Sequence, residues 1–172
     1  MNASVSVRRA RPGDYAALGD ITVAAYVGDG LLRAATDSPY LEVLRDVADR
    51  AASAEVLVCV DHSGTVLGGV TFVDGPGPYA DVARLHEAEF RTLAVADAGR
   101  GQGAGEALVR ACIARARAIE GCGLLVISTQ PTMEAARRLY ERLGFVRMPE
   151  RDWMPVSHIT LLTYGLELEP LE

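Results

Sequence analysis

The 172-residue sequence contains no lysine, and all 17 of its Lys-or-Arg positions are arginine. A Walker phosphate loop uses a lysine to reach the β- and γ-phosphates of a nucleotide, so the chain has no such loop. Schiff-base chemistry also needs a lysine amine and is excluded for the same reason. The net charge of −6 argues against a protein that binds nucleic acid through bulk electrostatics.

Metal-binding patterns and long apolar runs are also missing. The three cysteines lack metal-ligand spacing and the three histidines lie far apart, so we expect reduced thiols and no metal site. These residues are Cys59, Cys112, Cys122, His62, His86 and His158. No run approaches 18 apolar residues, and the first ten residues contain no signal-peptide core. We therefore expect a cytoplasmic protein that forms a single domain over residues 1–172.

The spacing of apolar residues predicts an α/β (α+β mixed-sheet) fold with helices on both faces of the sheet. The expected order is β-α-α-β-β-β-α-β-α-β-β. The predicted strands cover 4–10, 55–61, 65–74, 87–96, 124–129, 145–153 and 159–168. The predicted helices cover 15–27, 39–54, 105–121 and 132–145. The continuous apolar run 124–129 is typical of a buried parallel strand.

Four alternating glycines lie where the strand 87–96 is followed by a helix: Gly99, Gly101, Gly103 and Gly105. Backbone N–H groups at a helix N-terminus favour a phosphate, and glycine permits close approach and positive φ. A dinucleotide fingerprint is one alternative, since Gly99-x-Gly101-x-x-Ala104 matches it loosely. However, no acidic residue ends the next strand, as that fingerprint requires. A turn without a ligand is the other alternative.

Two motifs together indicate coenzyme A. Residues 100–105 fit the pattern Arg/Gln-x-x-Gly-x-Gly/Ala, and the helix about 40 residues later ends in Tyr-x-x-Leu-Gly-Phe at Tyr140–Phe145. A predicted parallel strand lies between the two motifs. Through these features, the sequence resembles the GNAT superfamily of N-acetyltransferases over nearly the whole chain. The resemblance implies a GNAT-like fold with a splayed central parallel strand pair that binds CoA. It also implies acetyl-CoA as the cofactor.

The resemblance assigns the cofactor contacts. The pantetheine arm would lie along the backbone of residues 93–95, which would also supply the oxyanion donor, and the pyrophosphate would lie on residues 100–105. Many members have an asparagine seven residues before the tyrosine, where this chain has Met133, so Ser128, Thr129 or backbone would replace that contact. The implied cofactor-binding residues are Leu93, Ala94, Val95, Arg100, Gly101, Gln102, Gly103, Ala104, Gly105, Thr129 and Met133.

The reaction that the resemblance implies is direct attack of an amine on the thioester. The amine must lose a proton, and the leaving thiolate benefits from an acid. Tyr140 matches the acid of the family, and the alternative is a tyrosine that only packs on a helix face. Glu89 is the favoured base and Glu87 is the fallback on the same side of the strand. The alternative is that both carboxylates are solvated.

The acceptor would be recognised by the first two helices, the loop 28–40 and the loop 74–85. These segments contain carboxylates and aromatic rings, which suit a cationic amine: Tyr26, Asp29, Asp37, Tyr40, Asp74 and Tyr79. We expect a small cationic amine or an amino acid as the partner, no nucleic acid and no membrane, and a homodimer is left open. The alternatives are a protein N-terminal or lysine acetyltransferase and a non-catalytic acetyl-CoA-binding regulatory module.

Overall fold

The computed structural model describes residues 4–28, 39–157 and 159–169. Five helices and eight strands occur within these ranges. The strands are β1 (Ser6–Arg9), β2 (Glu55–Val60), β3 (Val66–Val73), β4 (Glu87–Val95), β5 (Leu124–Thr129), β6 (Val146–Arg147), β7 (Trp153–Val156) and β8 (Ile159–Glu167). The helices are α1 (Tyr15–Gly28), α2 (Pro39–Arg45), α3 (Val47–Ser53), α4 (Ala104–Ala118) and α5 (Glu134–Arg142).

The strands form a mixed sheet in the order β1-β2-β3-β4-β5-β8-β6, and β7 pairs with β8. The pair β4–β5 is parallel, with Glu87, Ala88 and Glu89 opposite Leu124, Leu125 and Val126. The pairs β1–β2, β2–β3 and β5–β8 are antiparallel. The predicted mixed α/β fold is therefore confirmed, while the splaying of the parallel pair remains a prediction.

The chain divides into two compact units, which we describe separately. The first comprises Met1–Phe72 and Thr92–Cys112, and the second comprises Val73–Arg91 and Ile113–Glu172. The single domain that the sequence predicts over residues 1–172 remains a prediction.

The core of the first unit is aliphatic. Alternate residues of β2 pack with Leu18 of α1 and Val47 of α3, and the buried members are Leu18, Val47, Val56, Val58 and Val60. A Cβ atom on Gly69 of β3 would lie 2.9 Å from the carbonyl oxygen of Leu57 and 2.4 Å from a Leu18 methyl carbon, so a side chain here would force both neighbours to shift. At the start of α1, Arg8 binds both carboxylate oxygens of Asp14, at 2.7 and 3.0 Å.

The single helix predicted over 39–54 is instead two helices of seven residues each, α2 and α3. The break is at Asp46, whose backbone is not helical and whose carboxylate accepts the N–H of Asp49 at 3.0 Å. This contact caps α3, since an aspartate side chain satisfies an N–H group that has no partner within the helix. Arg50 donates to the carbonyls of Val43 and Leu44 at the end of α2.

In the second unit, the strand predicted near the C-terminal end of the chain differs from the observed structure. The strand predicted over 145–153 is only the two-residue β6, and it is followed by a 3-10 turn at Pro149–Arg151 and by β7. Proline ends the strand because its nitrogen has no hydrogen to donate. Arg147 and Asp152 close the turn with two hydrogen bonds of 2.7 Å each.

Within the residues described, none of the helices combines the length and apolar character needed to cross a membrane. The same ranges contain no cluster of three or more His, Cys, Asp or Glu side chains placed to hold a metal ion. Cys59 and Cys112 are buried, Cys122 is half-buried, and none of these three described cysteines forms a disulfide.

Candidate active site

The glycine turn in the first unit contains glycines of two kinds. A Cβ atom on Gly99 would lie 3.0 Å from the carbonyl oxygen of Leu67, so Gly99 is required by close packing. Gly101 and Gly103 have φ angles of +76° and +80°, which disfavour any residue with a side chain. No other heavy atom of the described chain lies within 4 Å of their Cβ positions, so the space beside them is open.

The N-terminus of α4 follows this open backbone. The first helical hydrogen bond runs from the N–H of Ala107 to the carbonyl of Gly103, at 3.0 Å. The N–H groups of Ala104 and Gly105 precede it, where a helix has no internal acceptor for its donors. Partial positive charge at a helix N-terminus favours an anion there. The turn therefore has the geometry of a phosphate site.

The side chains of the turn point to different roles. Arg100 is exposed and lies 3.4 Å from the carboxylate of Asp97, also exposed. Such a surface ion pair holds its partners weakly, so the guanidinium can reach an anion. The Gln102 amide donates to the carbonyl of Ala98 and thereby braces the turn.

The last residues of β4 also belong to the first unit. Ala94 is buried, whereas Leu93 and Val95 are half-buried. Thr92, just before them, has a φ of +57°, which is rare for a β-branched residue and breaks the regular strand geometry. The carbonyl of Ala94 lies 2.5 Å from the position of a Cβ on Gly68, so β3 needs glycine there.

Glu89, in the second unit, has a buried carboxylate with two unlike oxygens. Its side chain is fully inaccessible to solvent. Oε2 accepts three consecutive backbone N–H groups, from Asp81 at 2.9 Å, Val82 at 3.1 Å and Ala83 at 3.1 Å. Oε1 is buried and has no hydrogen-bond partner among the described residues. A buried polar atom without a partner is rare and indicates a group that a ligand or water completes.

The segment that supplies these donors, residues 79–84, is attached to β4 by further polar contacts. Arg91 donates to the carbonyl of Tyr79 at 2.5 Å and pairs with Asp81 at 2.9 Å. Glu87 accepts the N–H of Arg84 at 2.9 Å. Glu87, Glu89 and Arg91 thus all contact the 79–84 segment, which agrees with the predicted position of the two glutamates on one side of the strand.

Glu87 has a strong partner of its own. Arg151 donates to both of its carboxylate oxygens at 2.8 Å and to the carbonyl of Val82 at 2.6 Å. Although burial opposes it, the hydrogen bond from Arg151 holds the pKa of Glu87 below its ordinary value. A carboxylate held in this way is a poor proton acceptor, so the fallback base is less suited to the role than Glu89.

The environment of Glu89 acts in the opposite direction. Burial raises the pKa of its carboxyl group, the backbone N–H donors oppose the rise, and the charge of Asp81 adds to it. A general base is most effective when its proton affinity is close to the working pH. The two glutamates of β4, only two residues apart, therefore have pKa values shifted in opposite directions.

Tyr140 lies on α5 in the aromatic cluster of the second unit. Its side chain is almost fully buried. The centroid of its ring lies 5.6 Å from that of Phe90, 5.9 Å from Phe145 and 6.1 Å from Tyr164. Packing against these three rings thus holds the ring of the tyrosine predicted as the acid in one position.

Thr129 and Met133 contact one another at the end of β5. The Thr129 hydroxyl is buried and donates to the Met133 sulfur at 3.5 Å, which is a weak acceptor. Ser128 accepts the indole N–H of Trp153 at 3.0 Å. Of the residues considered as replacements for the usual asparagine, Thr129 therefore has the weaker internal partner.

The residues predicted for the acceptor side have different outcomes. Asp29 and Asp37 lie outside the described residues. Tyr26 is half-buried on α1 and Tyr40 is exposed at the start of α2. Tyr79 is the one whose backbone carbonyl binds Arg91.

Arg151 and Asp81 were not predicted as site residues. Arg151 is 64 positions from Glu87, and nothing in the local sequence links the two. The alternation of Glu87, Glu89 and Arg91 was a usable signal, since three charges on one side of a central strand need polar partners. It did not identify which loop supplies them.

Comparison with known proteins gives the family. The model of the acetyltransferase (GNAT) family matches residues 17–145. None of the curated protein sequences matches the chain. Similar solved structures include a GCN5-related N-acetyltransferase from Kribbella flavida, with 27% identity over 95% of this chain and 98% of that chain and a TM-score of 0.66.

Two further structures have the same fold. Salmonella typhimurium YncA, solved with its cofactor acetyl-CoA, is 24% identical over 99% of this chain and 97% of its own, with a TM-score of 0.68. A Corynebacterium glutamicum structure described as histone acetyltransferase HPA2 and related acetyltransferase is 23% identical over 98% of each chain, with a TM-score of 0.72. Because the family model covers most of the sequence, the chain belongs to the acetyltransferase (GNAT) family.

Proposed function

We propose that the protein transfers an acetyl group from acetyl-CoA to a primary amine, with Glu89 as the general base and Tyr140 as the general acid. Membership of the GNAT family makes it an acetyltransferase. The observation that carries the finer assignment is the Glu89 carboxylate, which is fully buried, held through one oxygen and unpartnered at the other. A solvated surface glutamate would have neither property.

The glycine turn supports acetyl-CoA as the donor. Gly101 and Gly103 are left-handed residues with open space beside them. They directly precede the first N–H groups of α4, which have no acceptor within the helix. A pyrophosphate needs this combination of accessible donors and absent side chains. The remaining proposed contacts are those expected from the sequence: Leu93, Ala94, Val95, Arg100, Gln102, Ala104, Gly105, Thr129 and Met133. Bound acetyl-CoA supplies the activated acetyl thioester.

Glu89 acts as the base through Oε1. In the proposed reaction this oxygen takes a proton from the amine, directly or through one water, as the nitrogen attacks the acetyl carbon. Three N–H groups occupy Oε2 and leave Oε1 as the atom available to the proton. Burial raises the pKa of Glu89, so the carboxylate holds a proton more readily than an ordinary glutamate does.

Tyr140 serves the opposite end of the reaction. When the carbon–sulfur bond breaks, its hydroxyl donates a proton to the thiolate, and a proton from solvent restores the phenol. The three rings that surround Tyr140 fix its orientation, which reduces the entropy lost on reaching the reactive geometry. The protons balance as follows: a cationic acceptor first loses one proton to solvent, the neutral amine gives a second to Glu89, which releases it to solvent, and the proton that Tyr140 gives to the sulfur is replaced from solvent.

The acceptor that we propose is a small cationic amine or an amino acid. The Glu89 carboxylate and the net charge of −6 favour a positively charged substrate. A protein N-terminus or a lysine side chain is the alternative acceptor. The cytoplasmic location and the homodimer remain predictions from the sequence.

Release of free thiol from acetyl-CoA across a panel of polyamines, amino acids and peptides tests the proposal. We expect turnover with at least one amine and its reduction by about 100-fold or more in Glu89→Gln. Tight acetyl-CoA binding without turnover on any acceptor would instead support the non-catalytic binding module. Turnover that Glu89→Gln leaves unchanged would remove Glu89 from the role of base.

A matched pair of glycine variants tests the phosphate site. Gly64, in the turn between β2 and β3, has a φ of +85° and the same open surroundings as Gly103. Alanine at either position introduces a similar strain of about 1–2 kcal/mol. We expect Gly103→Ala to weaken acetyl-CoA binding by at least 10-fold in calorimetry, with Gly64→Ala binding like wild type. Equal affinities in both variants would contradict the site.

A further inference from the structure

We propose that Arg151 is a positioning residue for Glu89: by binding Glu87 and the Val82 carbonyl together, it keeps the 79–84 segment in place, with its N–H groups on Oε2 and Oε1 free to react. The inference rests on the proposed role of Glu89 as the base. It adds a residue that touches neither the donor nor the acceptor.

The geometry of Arg151 supports this role. Its guanidinium is almost fully buried, and it donates to both oxygens of Glu87 at 2.8 Å and to the Val82 carbonyl at 2.6 Å. A planar guanidinium can satisfy three acceptors in fixed directions, whereas a lysine ammonium cannot reproduce that fork. Arg151 therefore connects the 3-10 turn at Pro149–Arg151 with both β4 and the 79–84 segment.

Val82 is the residue through which this connection reaches the base. Its carbonyl accepts from Arg151 while its N–H donates to Glu89 Oε2. The neighbouring N–H groups, of Asp81 and Ala83, donate to the same oxygen. The three donors belong to consecutive residues of one short segment. Holding the Val82 carbonyl in place therefore also holds the three N–H groups in place.

Four charged side chains surround this arrangement. Arg151 attracts the Glu89 carboxylate, and Asp81 repels it. Arg91 pairs with Asp81 and binds the Tyr79 carbonyl, so it restrains the other end of the 79–84 segment. Glu87 neutralises much of the charge of Arg151. Hydrogen bonds from the segment are therefore the main stabilisation of the Glu89 anion.

Loss of Arg151 removes a restraint on those donors. Fewer or longer hydrogen bonds to Oε2 would stabilise the carboxylate less, and the pKa of Glu89 would rise further. The base must be deprotonated to act. The acidic limb of the profile of kcat/KM against pH would therefore shift to higher pH. A role limited to stabilising the fold would not move that limb.

The experiment compares full pH profiles of kcat/KM for wild type, Arg151→Gln, Arg151→Lys and Arg8→Gln. Arg8 is the matched control because it binds both oxygens of Asp14 in the same two-bond manner, in the first unit. In both Arg151 variants we expect the midpoint of the acidic limb to shift to higher pH by about one unit. Arg8→Gln is expected to keep the limb of wild type.

Each outcome has a defined meaning. A limb that stays at the wild-type position in both Arg151 variants overturns the proposal. A shift in Arg151→Gln that is absent in Arg151→Lys overturns it as well, because only the charge would then matter. If Arg151→Gln fails to fold, Arg151→Lys carries the test by itself.

A second readout separates this inference from the proposed function. Titration of the Glu89 carboxyl carbon by NMR, without substrate, reports its protonation directly. We expect the titration midpoint of Glu89 to rise in the Arg151 variants, and an unchanged midpoint overturns the inference. A raised midpoint in an enzyme whose rate has no acidic limb would support the positioning role while contradicting Glu89 as the base.

Discussion

Replacing Glu89 with alanine removes the common acceptor of three consecutive backbone N–H groups. Each hydrogen bond to a charged group contributes about 1.5 kcal/mol, at the low end of the usual range. The one lost methylene, Cγ, adds about 0.8 kcal/mol. Burying the charged carboxylate itself costs free energy, and removing it recovers about 2 kcal/mol of this loss. We therefore expect Glu89→Ala to lower the free energy of unfolding by about 3 kcal/mol at pH 7.

Glu89→Gln is the matched control. Its amide oxygen can replace Oε2 as the acceptor of the three N–H groups, so we expect a loss of only about 1 kcal/mol. Trp153 is the only tryptophan in the sequence and lies in the second unit, so its fluorescence reports the unfolding in urea. The slope of the free energy against urea should be the same in wild type and both variants.

The two variants should therefore differ in stability but not in activity. Both remove the proposed base, and both should lose turnover, whereas only the alanine variant should be strongly destabilised. An alanine variant within about 1 kcal/mol of the glutamine variant would refute the reasoning, because the N–H groups would then not depend on Glu89. A difference in slope would indicate that the unfolded or native state had changed instead.

Two further predictions concern the acid and the stability of the first unit. Tyr140→Phe keeps the aromatic packing but loses the hydroxyl, so kcat should fall by about 10-fold or more while acetyl-CoA affinity stays unchanged. If chemistry is rate-limiting and the variant still has the wild-type kcat, the acid role is excluded. The hydrogen bond from Arg8 lowers the pKa of Asp14, so the stability that Asp14 contributes is present above its unfolded-state pKa and is lost as the pH falls through the folded one. Asp14→Asn should therefore unfold more easily than wild type at pH 7 and show a flatter pH dependence below about pH 4, measured by urea unfolding; parallel curves would contradict the ion pair.

Local features of the fold could be predicted where the signal lies in neighbouring residues. The glycine turn is one case, because positive φ at Gly101 and Gly103 depends on the absence of a Cβ in those residues themselves. The buried strand 124–129 is another, and its predicted bounds agree with those of β5. Boundaries were wrong where a single residue interrupted a pattern, as Asp46 does in the helix 39–54 and Pro149 does in the strand 145–153.

The sequence by itself determined the order of helices and strands outside residues 39–54 and 145–153, the glycine turn and the choice of Glu89 and Tyr140 as candidates. The resemblance favoured Glu89 and kept Glu87 as the fallback, because both are glutamates on the same side of one strand. The tertiary structure gives the two carboxylates different surroundings through residues distant in sequence. Arg151, 64 positions away, binds Glu87, and the donors of the 79–84 segment bind Glu89 through one oxygen alone. Proton affinity depends on burial and on neighbouring charges, and both arise only when the chain has folded.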